Sequence, residues 1–242
     1  MTVGILGGGQ LGRMLVLAGC HLDVRFRCLD PFPDAPAGQV AELITGNYGD
    51  PAALNELADG ADVITYEFEN VPVESVRRLA VKVPVFPAPE VLEVGQDRLA
   101  EKQFFGRLAI PVARYKLVGT FEELNSAVGQ LGFPAIVKTR RFGYDGKGQC
   151  VVRSNQDVST AWRTLGGVPL ILESFIAFDR EVSILAVRSR SGEIACYPLV
   201  ENYHREGILR LSRAPVEDPA LQALAEDYAL RLLTSLSYVG VL

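Results

Sequence analysis

The chain has 242 residues, 48% of them hydrophobic, and a formal net charge of −5. That length buries a large core and holds one to three domains. The acidic balance offers no basic face for nucleic acid, and no apolar run approaches the ~20 residues that span a bilayer. The N-terminus, Met1-Thr2-Val3-Gly4-Ile5-Leu6, has no basic leader and enters a strand pattern directly, so no signal peptide is expected. Cys20, Cys28, Cys150 and Cys196 are scattered, without a C-x-x-C pair or a histidine cluster. They read as reduced, mostly buried thiols of a cytosolic protein rather than as a catalytic cysteine.

The first ninety or so residues alternate strand and helix. Val3–Leu6 is a short apolar strand and Leu11–Ala18 is helix-prone. Val24–Leu29 is a second strand, closed by Asp30, and Leu43–Thr45 a third. Pro51–Ala58 reads as a helix, with Asp50 as N-cap and Pro51 at the first helical position. Val63–Tyr66 is a fourth strand and Val73–Val81 a helix. Such alternation predicts a parallel sheet flanked by helices, a Rossmann-like α/β unit over residues 1–90.

Within this unit, Gly7-Gly8-Gly9-Gln10-Leu11-Gly12 fits G-x-G-x-x-G directly after a strand and opening a helix. Asp30 stands at about the spacing of a ribose-binding carboxylate, so the turn is a candidate dinucleotide site. It reads equally well as a turn for another phosphate-bearing ligand, or as one that only packs strand on helix.

From Pro84 the texture changes. Pro84, Pro87 and Pro89 mark a connection, and helical stretches follow around Glu90–Val94 and Arg98–Leu108, giving a connecting segment over residues 91–112. A strand is predicted at Ala113–Val118 and an amphipathic helix at Phe121–Leu131. Next come an apolar strand ending at Lys138, a glycine loop, a strand Cys150–Val152, and a helix near Val158–Leu165. Leu170–Ile176 is an apolar strand running into a connection, and residues 113–175 form a small α+β module. Glu181–Val187 and Glu193–Val200 are expected to pair as a hairpin across Ser191-Gly192. Ile208–Ser212 is a further strand, Pro219–Leu236 a long helix, and Tyr238–Leu242 the start of a strand, so residues 176–242 read as the opening of another domain.

The loop Gly143-Tyr144-Asp145-Gly146-Lys147-Gly148-Gln149 lies between the two strands of that module. Glycines let backbone lie flat on a ligand, and successive loop N–H groups form an anion cradle. Lys138 at the strand end supplies a compact positive charge for phosphate. The stretch reads as a phosphate clamp over a nucleotide, against the plainer reading of a hairpin loop with incidental lysines.

Arg98, Lys138, the Gly143–Gln149 loop, the connector Glu173-Ser174-Phe175-Ile176, Glu181 and His204 follow one another in an order that resembles the ATP-grasp superfamily. Further segments sharpen the likeness: Gly7 to Met14, Tyr66-Glu67-Phe68-Glu69-Asn70, the glycine loop, Tyr197 to Asn202 with His204, and Tyr238-Val239-Gly240-Val241. Together they resemble the 5-(carboxyamino)imidazole ribonucleotide synthase family over essentially the whole chain. Tyr144-Asp145 is the discriminating detail, because formate-dependent glycinamide ribonucleotide transformylase and biotin carboxylase carry serines or plain glycines there.

The resemblance implies a Rossmann-like pre-ATP-grasp domain followed by an ATP-grasp module. It implies a cytoplasmic homodimer that carboxylates 5-aminoimidazole ribonucleotide with bicarbonate and ATP, through carboxyphosphate. Arg98, Lys138 and the residues Gly143, Tyr144, Asp145, Gly146, Lys147, Gly148 and Gln149 would meet the ATP phosphates. Glu173, Ser174, Phe175 and Ile176 would present edges to adenine, Glu181 would accept from the ribose hydroxyls, and His204 fits a nucleotide-site position. The glycine turn would serve the ribonucleotide, with Gln10, Leu11 and Glu67 (or Glu69) facing it, joined by Tyr144 and Asp145. Asp145 and Lys147 are the catalytic candidates. Family members continue past the equivalent of Leu242, where the magnesium carboxylates and a bicarbonate segment are expected, so the chain is read as a fragment in which no metal ligand is assigned. Three alternatives stay open: another ATP-grasp carboxylase or ribonucleotide transformylase, an NAD-dependent oxidoreductase resting on Gly7–Gly12 and Asp30, and a nucleotide-binding module without catalysis.

Overall fold

The computed structural model describes residues 1–143 and 146–242. The chain divides into two units, Met1–Glu93 with Leu236–Gly240, and Val94–Ser235 with Val241–Leu242.

The first unit begins with β1 (Thr2–Leu6), α1 (Gln10–Cys20), β2 (Arg25–Asp30) and β3 (Glu42–Thr45). It continues with α2 (Pro51–Ala58), β4 (Val63–Tyr66) and α3 (Val73–Ala80). The sheet order is β3-β2-β1-β4, and every pairing is parallel. A 3₁₀ turn at Pro36–Gln39, absent from the predicted elements, precedes β3. Side chains alternate across a strand. Ile5 and Cys28 therefore pack with Val16 of α1 and Ala37, while Leu6 and Leu29 pack with Leu54, Leu57, Val76 and Leu79 of α2 and α3. Both faces are covered towards the carboxyl ends of β1 and β2, which is why the successive residues Ile5 and Leu6, and Cys28 and Leu29, are all buried. Asp50 caps α2 by accepting from the Ala52 N–H, as predicted. Parallel pairing brings the carboxyl ends of β1, β2 and β4 to one edge, so the Gly7–Gly9 turn, Asp30 and Glu67 emerge together.

α4 (Pro89–Gly95) leads to the second unit, which opens with α5 (Arg98–Arg107) and β5 (Tyr115–Val118). α6 (Phe121–Leu131), β6 (Ala135–Thr139), β7 (Gln149–Val152), α7 (Asn155–Leu165) and β8 (Leu170–Ser174) follow. Four strands form an antiparallel sheet in the order β5-β8-β6-β7. Val137, Val152, Leu170 and Leu172 pack with Leu124 and Val128 of α6 and Val158 of α7. Alternation sends Ile136, Lys138, Ile171 and Glu173 to the opposite face. α7 begins at Asn155 rather than near Val158, because Ser154 and Asp157 form a capping box one turn earlier.

The hairpin expected between Glu181–Val187 and Glu193–Val200 is present across Ser191-Gly192, but it is split into two short ladders. β9 (Glu181–Ser183) and β10 (Ala186–Arg188) lie in different sheets. β10 pairs with β11 (Ile194–Cys196) across the expected turn, whereas β9 pairs with β12 (Val200–Arg205). β12 also pairs with β13 (Ile208–Arg213) through a turn at Glu206 and Gly207, both with positive φ. That combination suits a two-residue hairpin turn, but Glu-Gly lacks the usual Asn or Asp signal. α8 (Pro219–Ser235) comes next, and β14 (Gly240–Val241) ends the fold, with Ala186 and Leu242 exchanging backbone hydrogen bonds of 2.9 and 2.8 Å. No helix among the described residues is long and apolar enough to cross a membrane.

Candidate functional site

At the carboxyl edge of the first sheet, the glycine turn is filled by the protein's own carboxylates. Gly9 N–H donates to Glu67 Oε1 at 2.6 Å, and Gly12 N–H donates to Glu67 Oε2. Gly7 has φ of 109°, and a Cβ there would collide with the Glu67 side chain. One at Gly9 would lie 2.7 Å from Glu67 Oε1. These glycines are therefore required by a side chain that arrives from β4, not only by a ligand.

Asp30 is buried at 6% exposure. Its Oδ2 accepts from Gly8 N–H and from Tyr48 Oη, each at 2.8 Å, and its Oδ1 from Phe32 N–H at 2.9 Å. The dinucleotide reading of this turn fails on these contacts. The N–H groups that would cradle a pyrophosphate hold Glu67, and the carboxylate that would meet a ribose is spent inside the turn. Gln10 and Leu11 are exposed at the start of α1, as is Glu69 beyond β4, whereas Glu67 is half-buried. Burial, together with the Glu67 and Asp30 charges, pushes the Cys28 thiol up to about 12.

In the second unit, the β6 and β8 register places Lys138 opposite Ile171 and Ile136 opposite Glu173. Lys138 and Glu173 are then diagonal neighbours on the sheet face that α6 and α7 leave uncovered. Lys138 Nζ donates to Glu173 Oε2 at 2.9 Å. Lys102 of α5 reaches Glu173 Oε1 at 3.2 Å. Burial works to raise the Glu173 carboxyl, but the Lys138 hydrogen bond and the two ammonium charges outweigh it and hold the group below its usual range. The only sequence signal for Lys102 is its place four residues after Arg98 on one helix face.

Arg98 is anchored through its backbone, whose N–H donates to the Arg140 carbonyl at 3.0 Å. Asp97 caps α5 at Leu99 N–H and takes the Arg140 guanidinium at 3.0 and 2.5 Å. This pair ties the start of α5 to the end of β6, so Arg98 lies beside Gly143. A Cβ on Gly143 would come within 3.3 Å of its Nη2. Gly148 has φ of 72°, and its carbonyl accepts from Thr139 N–H at 2.8 Å. A Cβ there would stand 2.7 Å from Thr139 Oγ1. Gly146 also has positive φ, and Lys147 and Gln149 are exposed. Tyr144 and Asp145 lie outside the described residues.

The connector after β8 is partly committed. Ser174 and Phe175 N–H groups donate to the Arg114 and Pro134 carbonyls at 2.8 and 3.3 Å, while the Phe175 and Ile176 side chains are exposed. Glu181 of β9 sits opposite Asn202 of β12, and His204 is two residues further on. His204 Nδ1 lies 3.0 Å from Glu181 Oε2. Both line a cleft of about 510 Å³ with Phe178, Asp179, Asn202 and Tyr203, a size that suits a nucleoside-scale ligand. The surplus of cations over carboxylate at Lys102, Lys138 and Arg98, the exposed apolar connector, and this polar cleft fit an adenine nucleotide.

Residues 1–96 match the ribonucleotide synthetase preATP-grasp domain, and residues 103–242 match the ATP-grasp domain. The chain is 51% identical over 242 residues to N5-carboxyaminoimidazole ribonucleotide synthase of Pseudomonas aeruginosa, covering 67% of that protein. The crystal structure of the Thermus thermophilus synthetase superimposes with a TM-score of 0.92 at 54% identity, over 99% of this chain and 65% of that one. The Aspergillus clavatus synthase, solved with ADP and 5-aminoimidazole ribonucleotide, matches at a TM-score of 0.88 and 29% identity, over 99% and 63%. The chain thus spans about two thirds of the length of these relatives. It belongs to the N5-carboxyaminoimidazole ribonucleotide synthase family, with a pre-ATP-grasp domain followed by ATP-grasp fold.

Proposed function

We propose that the protein carboxylates 5-aminoimidazole ribonucleotide in purine biosynthesis, with cleavage of ATP to ADP. The observation that carries this reading is the grouping, in one unit, of the Lys138–Glu173 cluster, Arg98 beside Gly143, and the Glu181–His204 cleft. The names and bound ligands of the relatives support it. In the finer form, the γ-phosphoryl group passes from ATP to an oxygen of bicarbonate, releasing ADP. The resulting carboxyphosphate breaks into carbon dioxide and phosphate, and the substrate amine attacks the carbon dioxide and loses a proton.

The residues divide this work. Phosphoryl transfer needs positive charge around the moving group more than covalent help. Lys138, Arg98 and the backbone N–H groups of Gly143 to Gln149, with Lys147, are assigned to it. The backbone of residues 173–176 is assigned to adenine and Glu181 to the ribose, with His204 at a nucleotide-site position. Gln10, Leu11, Glu67, Tyr144 and Asp145 are assigned to the ribonucleotide, and Asp145 to orienting the amine or taking its proton. Carboxyphosphate hydrolyses readily, so a loop that excludes water suits the chemistry. Magnesium is implied by the family. Among the described residues no group of three or more His, Cys, Asp or Glu side chains is placed to hold a metal ion, and Glu173 is committed to two lysines. These residues do not fit a magnesium site, and no step is assigned to one. The family reading also implies a cytoplasmic homodimer.

The test is bicarbonate-dependent release of ADP by the protein expressed from its whole gene, with 5-aminoimidazole ribonucleotide present and absent. Release that requires all three substrates is expected. NAD reduction without ADP formation, or ATP cleavage indifferent to the ribonucleotide, would overturn the assignment.

A further inference from the structure

We infer that Lys102 is a positioning residue of the nucleotide site, and that it acts by sharing the Glu173 carboxylate with Lys138. The inference rests on the reading above in which Lys138 faces a nucleotide phosphate. Lys138 alone with Glu173 would be a neutral pair. The carboxylate would use up the charge that the phosphate needs. A second ammonium changes the sum. Two lysines and one glutamate leave one positive charge over, in a cluster whose side chains are only 13%, 18% and 7% exposed for Lys102, Lys138 and Glu173. Charge is felt most where water is scarce, so this surplus favours an anion at the open side of the cluster.

The geometry fits a relay through Glu173. Lys102 uses Oε1 and Lys138 uses Oε2, so each oxygen has its own cation. Tyr115 of β5 is the direct cross-strand neighbour of Glu173, and the Lys102 ammonium lies 5.8 Å from the centre of its ring. Lys102 is therefore held from two sides, by the carboxylate and by the ring face. The competing role is a strut that docks α5 on the sheet. A strut would matter for the fold and for every ligand alike. A charge-sharing residue matters for ligands in proportion to their phosphates.

The experiment uses the full chain with two probes, ADP and adenosine, which share base and ribose but differ in phosphate. Affinities are measured for the wild type, Lys102→Met, Lys102→Gln and Lys102→Arg, the glutamine form serving if the methionine form does not fold. Loss of Lys102 should weaken ADP on the order of tenfold, the effect of about 1.4 kcal/mol, and leave adenosine within about twofold. Lys102→Arg keeps the charge and should restore ADP to within a few-fold. Raising the salt concentration should narrow the gap between wild type and Lys102→Met for ADP. Equal loss for ADP and adenosine would make Lys102 a strut and overturn the inference, as would ADP affinity unchanged in both neutral variants. Absence of ADP binding by the wild type would overturn the nucleotide reading, and this inference with it.

Discussion

Glu67 and Asp30 occupy the N–H groups of the glycine turn, so two side chains do there what a bound anion does in a dinucleotide fold. Replacing Glu67 by Ala leaves Gly9 and Gly12 N–H without their charged acceptor. Hydrogen bonds to charged groups contribute about 1.5–3 kcal/mol, and a loss at the lower end of that range is expected because Glu67 is half-buried. Urea unfolding checks it, and an unchanged midpoint would mean that water serves the turn equally well. The same two carboxylates, after burial itself, disfavour the Cys28 thiolate. With Cys28 pushed up to about 12, iodoacetamide at pH 8 should label exposed Cys20 and spare Cys28 until the protein unfolds. Mass spectrometry of the labelled peptides decides this, and early labelling of Cys28 would contradict the burial argument. The unfolded thiol ionises near 9.0, so the stabilisation is complete below that pH and is lost as pH climbs from 9.0 towards 12.

At the scale of elements, α6 shows a local signal that is also structural. Thr120 Oγ1 accepts from Glu123 N–H at 3.2 Å, and Glu123 Oε2 accepts from the N–H groups of Thr120 and Gly119 at 3.3 and 2.6 Å. Thr120→Ala removes half of this box and should cost about 1 kcal/mol. A urea midpoint identical to wild type would show that Glu123 alone suffices. The predicted bounds of α6, Phe121–Leu131, agree with the structure because the cap and the apolar stripe point to the same start. The strands after Glu181 lack such agreement. β9 to β13 are three to six residues long, and the Glu181–Asn202 hairpin breaks into two ladders at a point that no local signal marks.

At the scale of the whole molecule, the residues assigned to ATP all lie in one unit. ADP should slow amide exchange in β6, in residues 146–149, in β8 and around Glu181 and His204, all within Val94–Ser235. The turn Gly7–Gly12 in Met1–Glu93 should exchange as before, since its N–H groups are already held by Glu67 and Asp30. Strong ADP protection of that turn would return the nucleotide to the first unit and undo the division of residues proposed above.

Much of this was legible in the chain. The alternation of apolar runs and caps located α2, α6 and β4 to the residue and the parallel sheet as a class, because these depend on neighbours within a turn or two. The order Arg98, Lys138, glycine loop, Glu173, Glu181 and His204 carried the family, because chemistry-bearing residue types at set intervals survive in sequence. Three things did not show. The occupant of the glycine turn is a carboxylate 58 residues from Gly9. The third member of the buried charge cluster is a lysine on another element, 71 residues from Glu173 by their numbers. The expected hairpin after Glu181 is divided between two sheets. All three are decided by which strand ends and faces the fold brings together. A local pattern determines whether a residue is on a helix or a strand. Only tertiary structure determines which distant charge or N–H group it meets, because that pairing energy exists solely once the sheets have formed.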